Sequence, residues 1–322
     1  MPVVSPVVSV VIPTFNRAQM VCDCVASVLS SDFNDYEIVV VDDCSPDDTG
    51  DRIRARFSGE SRVRYVRNAV NKQLGASRNV GACHARGKYL LFLDDDNLVE
   101  KEMLGRLVAD FESHPDVGLI APMAVNVGGA KDGLVWTLGC DFNKWTSQPR
   151  NHLENLPLEN VPKDRIRFPT LYSPNAFAVA REVHERIGGF CEELPFYFDE
   201  SDYGWRIRDL GLAAWILATA VTRHQNFLAS TDCPELRDLG INAPWRAFLL
   251  GRNRLRFARR HFSFLQRLSV TFAFAPMSAL YYGWKALKNR RPDVAWAYLR
   301  GTLAGIFGVG LRRKATSAAS GK

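Results

Sequence analysis

The sequence predicts an α/β fold in which helices cover a mixed, mainly parallel sheet, followed by a helical appendage at the C-terminus. Three observations predict it. Apolar, β-branched runs alternate with helix-periodic segments through the first part of the chain. Several of these runs end in clusters of polar residues, as strands of open parallel sheets do when they lead to a ligand site. The C-terminal part is apolar, interrupted and basic.

The first half of the chain contains four runs that are typical of buried strands. They lie at residues 7–12, 37–41, 63–67 and 88–93. Segments with helical periodicity or helix-forming composition separate them, at residues 18–30, 48–57 and 75–86. Strands that alternate with helices at this spacing favour a parallel sheet covered on both faces.

Composition limits the class of protein. The 322 residues are 47% hydrophobic and 24% charged, which is ordinary globular composition and excludes a disordered chain. Forty-one Lys and Arg against 35 Asp and Glu give a net charge of +6, which permits an anionic partner without identifying one. Seven scattered Cys without zinc spacing favour a reducing compartment. We find no signal-peptide pattern and no long uncharged apolar run, so we expect a cytoplasmic protein without a clean transmembrane helix.

Polar residues follow three of the predicted strands. Thr14 and Arg17 come after the first, Asp42 and Asp43 after the second, and the triplet 94–96, Asp-Asp-Asp, after the fourth. Neither glycine-rich phosphate motif is present, so the charge of a bound nucleotide diphosphate must be met in another way. Clustered carboxylates hold Mg²⁺ or Mn²⁺, which would neutralise the phosphates. The alternative is that these acids only cap the following helix.

Four segments together carry a resemblance. They read VSVVIPTFNR at 8–17, EIVVVDDCSPDDT at 37–49, LGASRNVGACHARGKYLLFLDDDN at 74–97 and FDESDYGWRIRDLG at 198–211. In this order and spacing, the chain resembles the family 2 glycosyltransferases over about residues 7–230. The resemblance implies the GT-A fold of the nucleotide-diphospho-sugar transferases, and an enzyme that uses a UDP-, GDP- or dTDP-sugar.

The resemblance also implies donor-binding residues. Asp43 would hold the edge of the base, and Asp42 would support its loop. Arg78 and Asn79 would contact the donor. The nucleoside pocket would be lined by Pro13, Thr14, Phe15 and Arg17.

Asp94, Asp95 and Asp96 match the D-x-D element of the family, which implies a Mn²⁺ or Mg²⁺ cofactor. Asp96 would be the direct metal ligand, and Asp94 and Asp95 would belong to the donor site. His224 follows an apolar run at 213–221, where many family members have a histidine that reaches the metal or the diphosphate. The alternative for His224 is an ordinary surface residue.

The second half contains the chemically dense pair Asp199 and Glu200, close to Asp202. Neighbouring carboxylates raise the pKa of at least one of them, which suits a base that takes a proton from a hydroxyl. The family usually writes this pair Glu-Asp, and here the order is swapped. We expect Glu200 to be the base, Asp199 to contact the acceptor, and Asp202 to orient the helix start or Arg206. A single base implies one displacement, with inversion.

The remaining segments define the predicted domains. Residues 121–170 read as an irregular, acceptor-facing insert. We predict a GT-A catalytic domain at 1–235, with a nucleotide-binding half at 1–120 and an acceptor half at 121–235, and a helical region at 236–322. Its apolar stretches, at 270–284 and 294–311, have basic flanks, which is typical of helices in a membrane interface. The alternative is a helical appendage packed on the catalytic domain.

The sequence therefore predicts an inverting, metal-dependent glycosyltransferase. Its acceptor would be a hydroxyl of a cell-surface or lipid-linked glycan, and the enzyme would work in the cytoplasm or at the inner face of the cell membrane. A nucleotidyltransferase and a non-catalytic sugar-nucleotide-binding protein remain as alternatives. No recognised nucleic-acid-binding motif is present, and we expect no nucleic-acid partner.

Overall fold

The computed structural model of the protein describes residues 5–225 and 233–308, which fall into two compact units. The first unit comprises residues 5–143 and 148–225, and the second comprises residues 144–147 and 233–308. The first unit holds all the strands of the described residues together with six α-helices and two short 3₁₀ helices, Gly129–Lys131 and Leu158–Asn160. The second unit is helical.

The first four strands of the first unit lie close to the four strand runs predicted from the sequence. The strands of this unit are β1 (Val8–Thr14), β2 (Tyr36–Asp42), β3 (Val63–Arg67), β4 (Tyr89–Leu93), β5 (Asn97–Val99), β6 (Val117–Val127), β7 (Leu134–Val135), β8 (Cys140–Asn143), β9 (Gln148–Asn151), β10 (Leu156–Pro157), β11 (Arg167–Pro169), β12 (Ala176–Ala180) and β13 (Ala213–Gln225). The helices of this unit are α1 (Ala18–Leu29), α2 (Thr49–Arg56), α3 (Leu74–His84), α4 (Met103–Ser113), α5 (Arg181–Ile187) and α6 (Asp199–Asp209).

The main sheet has the order β10-β7-β6-β12-β4-β1-β2-β3. The half of the sheet formed by β4, β1, β2 and β3 is parallel, because β1 pairs in parallel with β2 and β4, and β2 pairs in parallel with β3. The antiparallel strand β12 joins β4 to β6, and β13 runs parallel to β6. The predicted α/β class with a mixed, mainly parallel sheet is confirmed.

Burial on both faces explains why the strands read as continuous apolar runs. Along β1, Val10 and Ile12 belong to one core with residues of α1, whereas Val11 belongs to a second core with residues of α3. Side chains alternate between the faces of a strand, so helices on both faces bury every residue of β1. The strands are thereby held rigidly, with their carboxyl ends at a fixed edge.

The prediction that residues 121–170 are irregular is wrong for the start of that segment. Residues 121–127 belong to β6, in which every residue but the last is buried. Pro122 reads as a breaker, but it lies opposite Leu217, directly before a register shift in β13. A proline is tolerated at such an irregularity because its missing N–H removes little ladder bonding there.

The second unit consists of α7 (Pro234–Asp238), α8 (Pro244–His261), α9 (Phe264–Leu268), a π-helical turn (Ser269–Phe274), α10 (Ala275–Lys288) and α11 (Pro292–Phe307). It has its own apolar core, which includes Leu236, Ile241, Ala247, Val294 and Tyr298. Within residues 5–225 and 233–308, none of the helices combines the length and apolar character needed to cross a bilayer.

Gly204, in α6, gives a test of this packing. A Cβ added there would collide with the backbone carbonyl of Leu171, which cannot rotate away. We expect Gly204→Ala to lower the free energy of unfolding by about 1–3 kcal/mol, as overpacked sites do. Thermal unfolding measures this. As the control, Gly59→Ala, whose added Cβ meets nothing within 4 Å, should change stability by less than about 0.5 kcal/mol. Equal melting temperatures for the two variants would contradict the packing.

Candidate active site

The polar clusters that follow the strands gather at one edge of the sheet. Strands β2, β1 and β4 are neighbours and parallel, so Thr14, Asp43 and Asp94 follow strand ends that lie side by side. The Thr14 hydroxyl donates a 2.6 Å hydrogen bond to Asp95 Oδ2, which joins the end of β1 to the turn after β4. The expectation that these segments share one edge is confirmed.

Arg17, just before α1, offsets part of the negative charge after β4. Its Nη1 donates to Asp95 Oδ1 at 2.8 Å and to Asp96 Oδ2 at 3.1 Å. Burial, together with repulsion from Asp96, raises the pKa of Asp95 to about 7 although Arg17 lowers it. Burial and the charge of Asp94 likewise raise the pKa of Asp96 to about 6. One guanidinium does not balance these carboxylates, so a further cation would be stabilised beside them.

Asp96 and His224 are the pair that the sequence offers as metal ligands, and they lie close together. His224 Nε2 is 3.8 Å from Asp96 Oδ1. The histidine is set by β13, which pairs with β5 at the level of Asn97, and the Trp136 ring lies 4.8 Å from its own ring. Both side chains are largely buried, with 12% and 18% of their surface exposed.

Asp96 and His224 provide only part of the ligand set that a divalent cation needs. Across residues 5–225 and 233–308, no group of three or more His, Cys, Asp or Glu side chains is arranged to hold a metal ion. The arrangement therefore does not form a cage made of protein ligands. One carboxylate and one imidazole fit a cation that takes its other ligands from water and substrate phosphates, as Mg²⁺ does in many phosphate-binding sites.

Arg78 lies between the carboxylates that follow β4 and those that begin α6. Its side chain is fully buried. Its Nη2 donates to Asp94 Oδ1 at 2.7 Å and to Glu200 Oε1 at 2.9 Å, and its Nη1 donates to Asp199 Oδ2 at 3.2 Å. Burial alone would lower the pKa of Arg78, but the three carboxylates raise it, so the group stays charged.

Asp199 and Glu200 occupy the first two positions of α6. Burial, together with the charges of Asp199 and Asp94, raises the pKa of Glu200 to about 8, although Arg78 opposes the shift. Burial also raises the pKa of Asp199. The Glu200 side chain keeps 17% of its surface exposed, compared with 5% for Asp199. Glu200 is therefore the member of the pair that a bound molecule reaches more easily.

The chain enters α6 through two strained residues. Tyr197 and Phe198 both have left-handed backbones, with φ of 59° and 65°. Such conformations are costly for residues other than glycine and persist only where neighbouring structure holds them. Here the turn sets Asp199 at the helix start, and Asp202 accepts a 2.8 Å bond from Arg206, as expected. No local sequence signal predicts the turn, because aromatic residues seldom adopt positive φ.

The acids Asp42 and Asp43, at the end of β2, both accept hydrogen bonds from backbone N–H groups. Asp42 accepts from the N–H of Ser45 at 2.7 Å and from Arg67 Nη1 at 2.7 Å, which confirms its expected role as a support for the loop. Asp43 accepts from the N–H groups of Lys72 and Gln73, at 2.8 and 2.7 Å, and from the Asn68 amide. The Asp43 carboxylate thus fixes the loop before α3.

Asn79, one of the expected donor-binding residues, is engaged with the turn after α5. The Asn79 amide donates to the Phe190 carbonyl at 3.0 Å and accepts from the Phe190 N–H at 2.8 Å. Asn79 therefore holds the Gly-Gly-Phe turn after α5, and its amide is already engaged on both sides. Pro13 is buried within β1, and the Phe15 side chain is 45% exposed.

Asn175 is a residue of this region that the sequence reasoning did not select. Its carbonyl accepts the Asp94 N–H at 2.8 Å, and its backbone has a φ of 69°. The buried Asn175 Nδ2 has no hydrogen-bond partner among the described residues. A buried unpaired donor is rare in proteins and is commonly satisfied by a ligand or water. The sequence signal that could have indicated this residue is an Asn that directly follows a proline and precedes a strand.

Comparison with known proteins gives the family. Residues 9–178, more than half of the chain, match the family model described as glycosyl transferase family 2. A relative from Campylobacter jejuni, GalNAc(5)-diNAcBac-PP-undecaprenol beta-1,3-glucosyltransferase, is 38% identical over 93 residues, which are 29% of this chain and 30% of the relative. The matched segments span about a third of the length of several such curated relatives.

Solved structures show the same fold at low identity. GalNAc-T7 with UDP, GalNAc and Mn²⁺ superposes with a TM-score of 0.60 at 18% identity, covering 86% of this chain and 58% of the other. The mannosyltransferase PcManGT from Pyrobaculum calidifontis, with GDP-Man and Mn²⁺, has a TM-score of 0.57 at 17% identity, covering 96% of this chain and 89% of the other. These likenesses show a GT-A glycosyltransferase fold. Since the matched segment runs from β1 into β12 and contains the acids after β2 and β4, this chain belongs to glycosyl transferase family 2.

Proposed function

We propose that this protein is an inverting, metal-dependent glycosyltransferase that moves a sugar from a nucleotide-sugar donor to a hydroxyl of an acceptor. The observation that carries the proposal is the Arg78 guanidinium, which bonds a carboxylate at the end of β4 and two carboxylates at the start of α6. It links a donor-side acid to a candidate base through one buried side chain. A transferase needs this adjacency, because the donor and the acceptor must meet in one site.

The donor side is the edge formed by β1, β2 and β4. The donor would be a UDP-, GDP- or dTDP-sugar, and related folds have been solved with UDP and with GDP-Man. Thr14 and Arg17 hold Asp95, so they order the acidic turn at which a diphosphate would lie. Pro13, Phe15 and Asp43 would shape the nucleoside pocket. The unpaired Asn175 Nδ2 would donate a hydrogen bond to an oxygen of the nucleotide sugar.

Asp96 and His224 would hold the divalent cation, Mn²⁺ or Mg²⁺. When bound, such an ion supplies positive charge that stabilises the departing nucleoside diphosphate. The separation of 3.8 Å between the two side chains and the surplus of carboxylates support this assignment. The structures of GalNAc-T7 and PcManGT contain Mn²⁺.

Glu200 would be the base. As the acceptor oxygen forms its bond to the anomeric carbon, Glu200 takes the hydroxyl proton, and the bond to the diphosphate breaks with the electron pair leaving on the phosphate oxygen. One displacement inverts the anomeric carbon. Asp199, more buried and bound to Arg78, would position the start of α6 and the acceptor. The Campylobacter relative is named for an undecaprenol-linked substrate, which supports a lipid-linked or cell-surface glycan as the acceptor.

The metal assignment is tested by Asp96→Ala. We expect Mn²⁺-dependent binding of the nucleoside diphosphate to be lost, because one of the two proposed protein ligands of the metal is gone. Folding should persist, because the substitution removes a buried carboxylate from a region with excess negative charge. Titration calorimetry with UDP, GDP and dTDP, with and without Mn²⁺, measures this. The control is Asp51→Ala, at a side chain that is 83% exposed and paired only at the surface with Arg54. An Asp96→Ala protein that binds as the wild type does would refute the assignment.

The base assignment is tested by Glu200→Gln, which keeps the shape of the side chain and removes its basicity. Transfer should fall by about 10²–10⁴-fold, the usual contribution of a positioned base. Donor affinity should stay within about twofold, because the donor-side residues are untouched. Glu185→Gln, at an exposed position in α5, is the matched control and should retain full activity. Full turnover by Glu200→Gln would move the base to Asp199.

The pH dependence follows from the raised pKa of Glu200. A base must be unprotonated to act, so the rate should rise with pH through about 8 rather than level off near pH 5. Because the Asp199 charge raises the pKa of Glu200, Asp199→Asn should move this rising limb to lower pH. Initial rates at low donor and acceptor concentrations, from about pH 6 to about pH 9.5, measure kcat/KM. A rate that does not change over this range would contradict the assignment.

A further inference from the structure

Three segments of the second unit, α9 with the π-helical turn, α10 and α11, expose large apolar side chains that a soluble helix normally buries. In α10 the buried positions are small and include Ala275, Ser278 and Ala286. The exposed positions recur at three- and four-residue spacing and form one stripe, made of Met277, Leu280, Tyr281, Trp284 and Leu287. Leu280 is 76% exposed and Trp284 is 56% exposed. An amphipathic helix on a globular protein normally buries such residues.

The same pattern is repeated in the neighbouring helices. In α11 the exposed apolar residues are Trp296, Leu299, Leu303 and Phe307, whereas Val294, Tyr298, Gly301, Thr302 and Gly305 are buried. In α9 and the π-helical turn they are Phe264, Leu265, Leu268 and Phe272. We call these two sets, together with the α10 set, the apolar stripes. Large exposed apolar side chains in this number mark an interaction site.

The charge around the apolar stripes is strongly positive. Residues 244–308 contain twelve Lys and Arg and one acidic residue, Asp293. Lys285 and Lys288 flank the exposed Trp284, with Nζ atoms 5.3 and 5.8 Å from its ring. Further basic side chains of this segment are exposed, among them Arg259, Arg260, Arg290 and Arg300. Long basic side chains beside aromatic residues suit the boundary between lipid headgroups and acyl chains.

We propose that the apolar stripes dock on a membrane surface that carries anionic lipids, with the helices lying in the plane of the interface. Apolar side chains enter the headgroup and acyl boundary, and the surrounding Lys and Arg meet the lipid charge. A second copy of this chain fits less well, because pairing two such faces brings like charges together. Nucleic acid fits the charge but not the apolar stripes. The inference stands apart from the proposed function, because lipid binding needs neither donor nor metal.

The test uses the purified full chain and sedimentation with vesicles. We expect binding to phosphatidylcholine vesicles that contain about 30% phosphatidylglycerol, and at least about tenfold weaker binding to pure phosphatidylcholine. The double substitution Leu280→Asp with Trp284→Asp should weaken binding to the anionic vesicles by at least about tenfold, because it places two negative charges where apolar side chains would enter the membrane. Lys288→Glu with Arg300→Glu should weaken it and reduce its dependence on salt.

The matched control is Leu158→Asp, at a side chain that is 42% exposed in the first unit. It should bind anionic vesicles as the wild type does. All of the substituted side chains are exposed, so the melting temperatures of the variants should stay close to the wild-type value. If the α10 variant unfolds, Met277→Ser with Leu287→Ser replaces it.

Three results would overturn the inference. The first is equal binding of the α10 variant and the wild type to anionic vesicles. The second is equal binding of the wild type to neutral and anionic vesicles. The third is absence of vesicle binding by the wild type. This result overturns the inference even if sedimentation velocity detects a concentration-dependent dimer that the α10 substitutions break. Loss of transferase activity with normal vesicle binding would count against the proposed function only.

Discussion

The site depends on one buried cation, the guanidinium of Arg78. A charged group with no exposed surface is stable only if it is paired and hydrogen-bonded, and Arg78 meets this requirement through three carboxylates. These partners come from two segments far apart in sequence, the turn after β4 and the start of α6. The need to pair Arg78 therefore fixes the distance between Asp94 and Glu200. Removal of any partner alters the electrostatics of the others, because the group acts as a network.

The network does not reach neutrality, and this imbalance connects the chemistry to the fold. Five carboxylates lie around two guanidinium groups, those of Arg17 and Arg78. Excess negative charge in a buried region raises pKa values and stabilises any cation that enters. Both effects serve the proposed reaction, because a raised pKa suits Glu200 as a base and a retained cation suits a diphosphate leaving group. A neutral cluster would support the fold equally well and would offer neither property.

Much of this arrangement could be predicted from local pattern, and the rest could not, for physical reasons. The continuous apolar runs predict β1 to β4, and parallel pairing then brings Thr14 and the Asp triplet to one edge. The burial of Arg78 is not local: an arginine in a helix reads as solvent-exposed, and only the small residues around it in α3 hint at close packing. The bond from Asn79 to Phe190 spans 111 residues, and β6 contains a proline whose tolerance depends on an irregularity in its partner strand.

The second unit shows why its exposed apolar side chains call for an explanation of their own. Its interior is already closely packed, because a Cβ at Gly301 would collide with the backbone carbonyl of Phe248. Such close approach leaves little space between α8 and α11 for a large side chain, and Trp296 and Leu303 lie on the exposed face of α11. These large residues are therefore not core residues that have lost their partner within the unit. The free-energy cost of exposing these side chains to water is offset only when another apolar phase covers them. The basic residues beside them favour a lipid membrane with an anionic surface as that phase.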